Sequence, residues 1–527
     1  MTTTEAALPG LYEPAFVPHL LVAGLERSRD RPCVYLGERV LTGGEVYEQI
    51  STYAQAYAKV GLGQGSRLAL LSPNRPEVLF ASGANMVTGC FSSALHPLGS
   101  LDDHAYVLED AEIETILVDP SFAERAFALV ERVPTLKTVL AFGPIEGGID
   151  ITALAADFTP GKLVVPPLDP DEVTGLAYTG GTTGKPKGVM GTYRSGLSMT
   201  QIQMAEWQWP TEVRHLICTP LSHAGAAFFV PALMQGGSMV VLPGFEPGKV
   251  LAAIEQYKIT SIMLVPTMLY VLMDHPDFDT RDLSSLETVF YGAAAMSPTR
   301  LAEAIGKLGQ VFFQFYGQAE CPMTITVMRK EDHDPNNLER LASCGRPVPW
   351  VHVALLDDDG HEVPEGTPGE ICVRGPLVSA GYWKKPEQTA ELFAHGWLHT
   401  GDVARRDEEG FLYIVDRKKD MIISGGFNIF PREVEDVLSS HPGVAAAAVI
   451  GVPDEKWGEA VKAVVVRRPG SDVGADELAA LVKERKGAHH TPKSIDFVDT
   501  IPVSPLGKPD KKALRAQYWG QNARQVN

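Results

Sequence analysis

The sequence predicts an α/β protein: a large multi-subdomain body over residues 1–416 with layered, largely parallel sheets, and a small α+β domain over residues 417–527. Three observations predict it. Helical and strand-like patterns alternate along most of the chain, which is the signature of sheets covered by helices. The pattern changes character at the charged run Asp416-Arg-Lys-Lys-Asp420. Charge divides at the same place: residues 417–527 hold 17 Lys and Arg against 14 Asp and Glu, whereas residues 1–416 hold 29 against 51.

In order, Thr42 and Glu45 form a capping box ahead of Val46, Ile50, Tyr53 and Tyr57, which share one helix face, and Gly61 ends that helix. A strand over Arg67–Leu71, a helix from Pro76 and a strand over Thr115–Val118 follow. Residues 261–265 and 311–315 read as strands, with a helix over 298–307 between them. Residues 224–245 carry no charge or histidine for 22 residues, but Pro231, Gly236, Gly237, Pro243 and Gly244 break the run. It reads as buried strands and turns forming one wall of a pocket, and not as a membrane span. Beyond a strand at 410–415, the small domain offers a helix from Pro431, strands near 444–450 and 460–466, a helix over Ala475–Lys486 and a short helix from Ala513. The segment Ile501-Pro-Val-Ser-Pro-Leu-Gly-Lys508-Pro-Asp-Lys-Lys512 is too irregular for a helix and reads as a loop that delivers a lysine. His489-His490 reads as a solvated loop and Asp357-Asp-Asp-Gly360 as a hairpin turn.

With 45% hydrophobic and 21% charged residues, the chain has the composition of a folded protein with sizeable cores. A net charge of −19 argues against a nucleic-acid or anionic-membrane surface. The six cysteines (33, 90, 218, 321, 344 and 372) form no CxxC pair, which argues against zinc, iron–sulfur or disulfide frameworks and fits buried thiols in a reducing compartment. The first ten residues lack a basic segment and an apolar core, so a cytoplasmic location without an integral membrane segment is expected.

The chemistry concentrates in Tyr178-Thr-Gly-Gly-Thr-Thr-Gly-Lys-Pro-Lys-Gly-Val189. Its glycines let backbone N–H groups approach phosphate oxygens, and its hydroxyls and ammonium groups add donors and positive charge. A Walker A loop is excluded, because Thr179 and Pro186 stand where that loop needs glycine and a magnesium-binding hydroxyl. Glu320, in Phe315-Tyr-Gly-Gln-Ala-Glu320, projects from a strand end and suits a magnesium ion accompanying a triphosphate. Small residues in Tyr291-Gly-Ala-Ala-Ala-Met-Ser297 would let a flat base lie on backbone, although, taken alone, tight packing explains them better. Asp402 and Arg417 could both grip ribose hydroxyls, and His223 could stand at the mouth of an apolar pocket.

In this order, and over nearly the whole chain, these segments resemble the adenylate-forming superfamily, with acyl-CoA synthetases the nearest type. Residues 178–189 are similar to its phosphate loop, 316–320 to its Tyr-Gly-x-Thr-Glu motif, Thr400-Gly-Asp402 to its ribose-binding aspartate motif and 416–420 to its hinge. Residues 424–433 and Pro505-Leu-Gly-Lys508 complete the set.

The resemblance implies an ATP-dependent acid–CoA ligase, in which a carboxylate attacks the α-phosphate of Mg·ATP to give acyl-AMP and CoA then displaces AMP. It further implies that Thr179, Gly180, Gly181, Thr182, Thr183, Gly184 and Lys187 hold phosphates, and that Glu320 ligates Mg2+. Asp402 and Arg417 would fix the ribose; Gly292, Ala293, Ala294 and Tyr316 would frame the adenine, with Gln314, Phe315 and Gly317 in the same nucleotide site. Lys508 would serve the first step, the mobile small domain would rotate about Lys419, and Gly425 and Gly426 would line the CoA tunnel. His223, Ala224 and Phe228 would line the acyl pocket.

Two departures stand out: Gly180 replaces a usual serine and Ala319 replaces the threonine before Glu320, removing two hydroxyl donors. The absence of a carboxylate in 222–229 argues against an amino-acid substrate, whose buried ammonium would be unpaired. A medium- or long-chain fatty acid is the expected substrate. An aryl or sterol-ring acid, an acyl-AMP ligase loading a carrier protein, a non-catalytic nucleotide or acyl-CoA sensor, and a homodimer stay open as alternatives.

Overall fold

The computed structural model describes residues 14–37, 39–179, 186–417, 420–424, 427–454, 457–503 and 509–519. Two large sheets carry the body. In the nine-stranded sheet, six parallel strands run in the order Phe312–Gln318, Thr288–Gly292, Ser261–Leu264, Arg214–Ile217, Ser238–Val241, Pro32–Leu36. Antiparallel strands close both of its edges. Thr288–Gly292 and Ser261–Leu264 are buried at every residue, as strands covered on both faces must be, which is why they read as continuous apolar runs.

The seven-stranded sheet has the order Ile149–Asp150, Thr138–Ala141, Thr115–Val118, Arg67–Leu71, Phe91–Ala94, Val173–Thr179, Lys187–Thr192. All its pairs are parallel except the last, so the phosphate-loop segment joins an antiparallel pair at the sheet edge. A third sheet, of strands His352–Leu356, Gly369–Arg374, Leu398–Arg406 and Leu412–Arg417, is wholly antiparallel. The last sheet holds Phe427–Ile429, Ile422–Ser424, Gly458–Arg467 and Val444–Asp454, with Ser494–Phe497 lying parallel to Gly458–Arg467.

Local signals act where expected. Glu45 N donates to Thr42 Oγ1 at 3.2 Å and Thr42 N to Glu45 Oε2 at 2.8 Å, opening the helix Gly43–Lys59. Gly61, at φ +85°, turns the chain out of it. Helices Pro76–Thr88, Pro298–Leu308, Pro431–Ser439 and Ala475–Lys486 match their expected positions. The uncharged run differs from expectation. Its first half is helical, a 3₁₀ turn over Ala224–Phe228 leading into the helix Phe229–Met234, and only Ser238–Val241 is a strand. Pro231 is tolerated because it lies in the first turn, where N–H groups have no partner inside the helix.

A cluster of large aromatic rings packs against the central strands Thr288–Gly292 and Phe312–Gln318. Trp207 sits 5.0 Å from Phe290, 5.0 Å from Phe315 and 5.4 Å from Phe228, ring centroid to ring centroid. The six cysteines are all buried thiols outside any disulfide, as expected. Among the described residues, no helix is long and apolar enough to cross a membrane.

Candidate active site

The carboxyl ends of parallel strands are where α/β sheets leave room for ligands, because the chain diverges there into loops. Segments following four strands of the nine-stranded sheet, including Leu221, Val265, Ala294 and Glu320, line one cleft of about 2830 Å³. Of the residues singled out from sequence, Thr179, Lys187, His223, Ala224, Ala293 and Ala294 line it. So do Gln314, Phe315, Tyr316, Gly317, Glu320 and Asp402.

Two expectations fail. Phe228 is fully buried in the aromatic cluster, its ring stacked 4.5 Å from His215, and is not a wall of the cleft. Gly292 is absent from the lining too: a Cβ there would collide with the backbone and ring of Phe315, so its smallness serves strand packing. Gly180, Gly181, Thr182, Thr183, Gly184, Lys419, Gly425, Gly426 and Lys508 lie outside the described residues. For Arg417 the backbone alone is described, paired directly opposite Asp402 across two antiparallel strands.

Asp402 is 5% exposed and accepts a hydrogen bond from Tyr316 Oη at 2.7 Å. Desolvation, and after it the Asp402 charge, hold the Tyr316 phenol well above its ordinary value, so it stays a donor. Beneath this pair, Thr400 Oγ1 donates to Ile371 O at 2.7 Å and accepts from Asp402 N at 3.1 Å. Glu370 Oε1 accepts from Gly401 N at 2.8 Å, while its Oε2 lies 3.0 Å from His399 Nδ1. Glu370, Cys372 and His399 come close enough to suggest a metal site. The Glu370 contacts, together with Ala394 O at 3.0 Å from His399 Nε2, account instead for a polar brace that orients the aspartate.

Glu320, 7% exposed, accepts from Tyr382 Oη at 2.7 Å through one carboxylate oxygen. No described residue hydrogen-bonds the other, which leaves a hard oxygen donor of the kind Mg2+ takes. Burial, then the Glu320 charge, raise the Tyr382 phenol pKa, so it too remains a donor. Lys187 Nζ stands 4.7 Å from the Tyr382 ring centroid, a cation–π distance.

Tyr382 is the candidate site residue that sequence reasoning missed. Its segment bridges the two large sheets: Met190 N donates to Gly381 O, Trp383 N to Gly188 O and Ser379 N to Glu320 O, at 2.8–2.9 Å. Glycine beside two aromatics in Gly381-Tyr-Trp383 was the available signal. Tyr382→Phe is expected to slow acyl-adenylate formation at least ~10-fold, the value of a hydrogen bond to a charged group. Pyrophosphate exchange measures it, and thioester formation from supplied acyl-AMP should change far less.

Gln314 lies 93% buried along the cleft with its Oε1 unpaired among the described residues. Ala293, at φ +65°, holds a conformation that side chains disfavour. His223 Nδ1 is 2.9 Å from Ser222 Oγ, and its ring packs edge-on to His96 at 5.0 Å. Burial, with His96 adding to it, lowers the His223 pKa to about 4, so the ring is neutral at neutral pH and presents no charge to an apolar ligand. Ala319 lines the cleft without the hydroxyl a threonine would supply.

Comparison with known proteins bears on this arrangement. The family described as AMP-binding enzyme matches residues 22–383, and its C-terminal domain matches residues 433–508. The chain is 54% identical to the medium/long-chain-fatty-acid–CoA ligase FadD8 of Mycobacterium tuberculosis, over 98% of this chain and 92% of that one. It is 38% identical to a feruloyl-CoA synthase of an Amycolatopsis species, over 94% and 98%. Among solved structures, the amide bond synthetase McbA from Marinactinospora thermotolerans superposes with a TM-score of 0.88 at 36% identity, over 95% of this chain and all of that one.

Proposed function

The chain belongs to the AMP-binding enzyme family and is an AMP-forming acyl-CoA synthetase, and from that premise we propose that its acid is a medium- or long-chain fatty acid. ATP and CoA are its co-substrates. The acid carboxylate attacks the α-phosphate of ATP and expels pyrophosphate; the CoA thiol then attacks the acyl carbon and expels AMP.

The division of labour follows the cleft. Thr179 and Lys187, with Gly180, Gly181, Thr182, Thr183 and Gly184, hold the β- and γ-phosphates. Asp402 and Arg417 take the ribose hydroxyls, and Ala293, Ala294 and Tyr316 frame the adenine. Gln314 lines the cleft beside Phe315 and Tyr316 and belongs to the same nucleotide site. Glu320, kept in place by Tyr382, would hold Mg2+, which offsets charge on the phosphates when bound. Lys508 bridges carboxylate and α-phosphate in the first step, and rotation about Lys419 then replaces it with the CoA tunnel at Gly425 and Gly426. Sheet membership changes between Leu412–Arg417 and Ile422–Ser424, which supports dividing the chain into residues 1–416 and 417–527.

The observation that carries the substrate reading is the apolar surface that Met86, Met199, Leu221, Val230 and Pro231 contribute to the cleft. The fatty-acid–CoA ligase relative supports it. Incubation with ATP, Mg2+, CoA and a graded panel of acids, with AMP and thioester read by mass spectrometry, tests it. The highest kcat/KM should fall on straight-chain acids. Preference for an aryl or ring acid, or thioester only on a carrier protein, would overturn the reading.

A further inference from the structure

Residues from both large sheets meet in the cleft. Leu70 and Ala94 lie on strands of the seven-stranded sheet, while Leu221, Ser222 and His223 follow the strand Arg214–Ile217 of the nine-stranded one. One side chain spans that seam. Asn74, just beyond the strand Arg67–Leu71, donates from Nδ2 to Thr219 O at 2.9 Å and accepts at Oδ1 from Leu221 N at 2.7 Å, across 145 and 147 positions of chain. Its own N–H donates to Pro243 O at 3.1 Å, beyond the neighbouring strand Ser238–Val241. Asn74, Thr219 and Leu221 are all buried. A carboxamide carries a donor and an acceptor on one carbon, and a hydrocarbon of the same shape would leave both backbone groups buried without partners.

What these hydrogen bonds hold is a tight turn. His223 N and Gly225 N both donate to Pro220 O, at 3.0 and 3.2 Å. Gly225 lies so close to the turn that a Cβ there would come within 2.6 Å of Thr219 O. A shift of Thr219–Leu221 therefore carries Ser222 and His223 with it. The His223 ring is held as well: Nδ1 lies 2.9 Å from Ser222 Oγ, and His96, just beyond the strand Phe91–Ala94, packs edge-on against it with ring centroids 5.0 Å apart. Backbone and ring are thus both fixed from the seven-stranded sheet.

We infer that Asn74 and His96 are positioning residues for the acid, which set the place of His223 in the wall of the acyl pocket, an assignment that rests on the acid–CoA ligase reading above. Neither residue lines the cleft itself, so their effect on the acid must travel through the residues they hold.

Steady-state kinetics of the full-length enzyme, with the acid that the panel above ranks highest, test the assignment. Asn74→Leu keeps the approximate shape and loses both side-chain hydrogen bonds; it is expected to lower kcat/KM for the acid about 10-fold and to leave KM for ATP unchanged. His96→Leu, at a partly exposed position, should act in the same direction by less. In a His223→Ala background both substitutions should lose their effect, because the group they place is gone. Additive losses in that background, a matching rise in KM for ATP, or unchanged acid kinetics in both variants would overturn the assignment and leave the ligase reading standing. Should Asn74→Leu fail to fold, His96→Leu and its cycle with His223→Ala decide alone, and an unchanged kcat/KM for the acid overturns the assignment. Thioester from no acid with the unaltered enzyme overturns both readings.

Discussion

Lys508→Ala is expected to cut acyl-adenylate formation about 10²–10³-fold, the typical effect of removing one charge-stabilising donor at a reacting centre. The attacking carboxylate and the α-phosphate are both anionic, so the approach itself is repulsive. An ammonium between them offsets that repulsion and the charge that shifts to the leaving pyrophosphate, with no covalent part to play. The chain either side of the lysine is anchored at the cleft. Val503 bridges to Pro509, Asp510 N donates to Pro502 O at 2.8 Å, and Asp510 Oδ1 caps the helix Lys511–Tyr518 through Ala513 N at 2.9 Å. Pro509, Asp510, Lys511 and Lys512 line the same cleft as Glu320 and Asp402. The half-reactions separate the roles: pyrophosphate exchange should collapse, while thioester formation from supplied acyl-AMP should survive. Equal loss in both would show that the lysine does not belong to the first step alone.

How much of this could be read in advance depended on sequence distance. The capping box of Thr42 and Glu45 and the helix Ala475–Lys486 follow from local patterns, and the structure has both. The helix expected from Ala513 begins at Lys511, because the Asp510 side chain caps it earlier than apolar periodicity suggests. Where local signals conflict, tertiary packing decides. Residues 224–234 carry glycine, β-branched and proline residues that read as strand and turn, yet burial against the aromatic cluster favours compact helical turns.

Asp402 and Glu320 were visible as carboxylates in recognisable segments, but what orients them was not. Tyr316 meets Asp402 across 86 positions and Tyr382 meets Glu320 across 62. Phe228 misled for the complementary reason. Its place in an apolar run identifies it as buried, and only the fold decides which side of a wall it occupies.

The second large effect concerns the ribose. Asp402→Asn is expected to raise KM for ATP about 10- to 100-fold, since hydrogen bonds to a charged group are worth about 1.5–3 kcal/mol. The amide keeps the carboxylate's shape and can still accept from Tyr316 Oη, which now lies 2.7 Å from Asp402 Oδ2. Its second position becomes a donor and no longer accepts from ribose hydroxyls. The brace of Thr400 and Glu370 holds backbone N–H groups, so it persists in the variant and the fold should be unaffected. Initial-rate kinetics at varied ATP, with the acid saturating, give the value, and an unchanged KM would remove Asp402 from the ribose site. Tyr316→Phe should raise KM for ATP as well, by freeing the carboxylate to rotate. If orientation of Asp402 is its main contribution, the double variant is no worse than Asp402→Asn alone, because the group being oriented has already lost its charge. Additive effects would instead assign Tyr316 an independent contact with the nucleotide, as the frame for adenine.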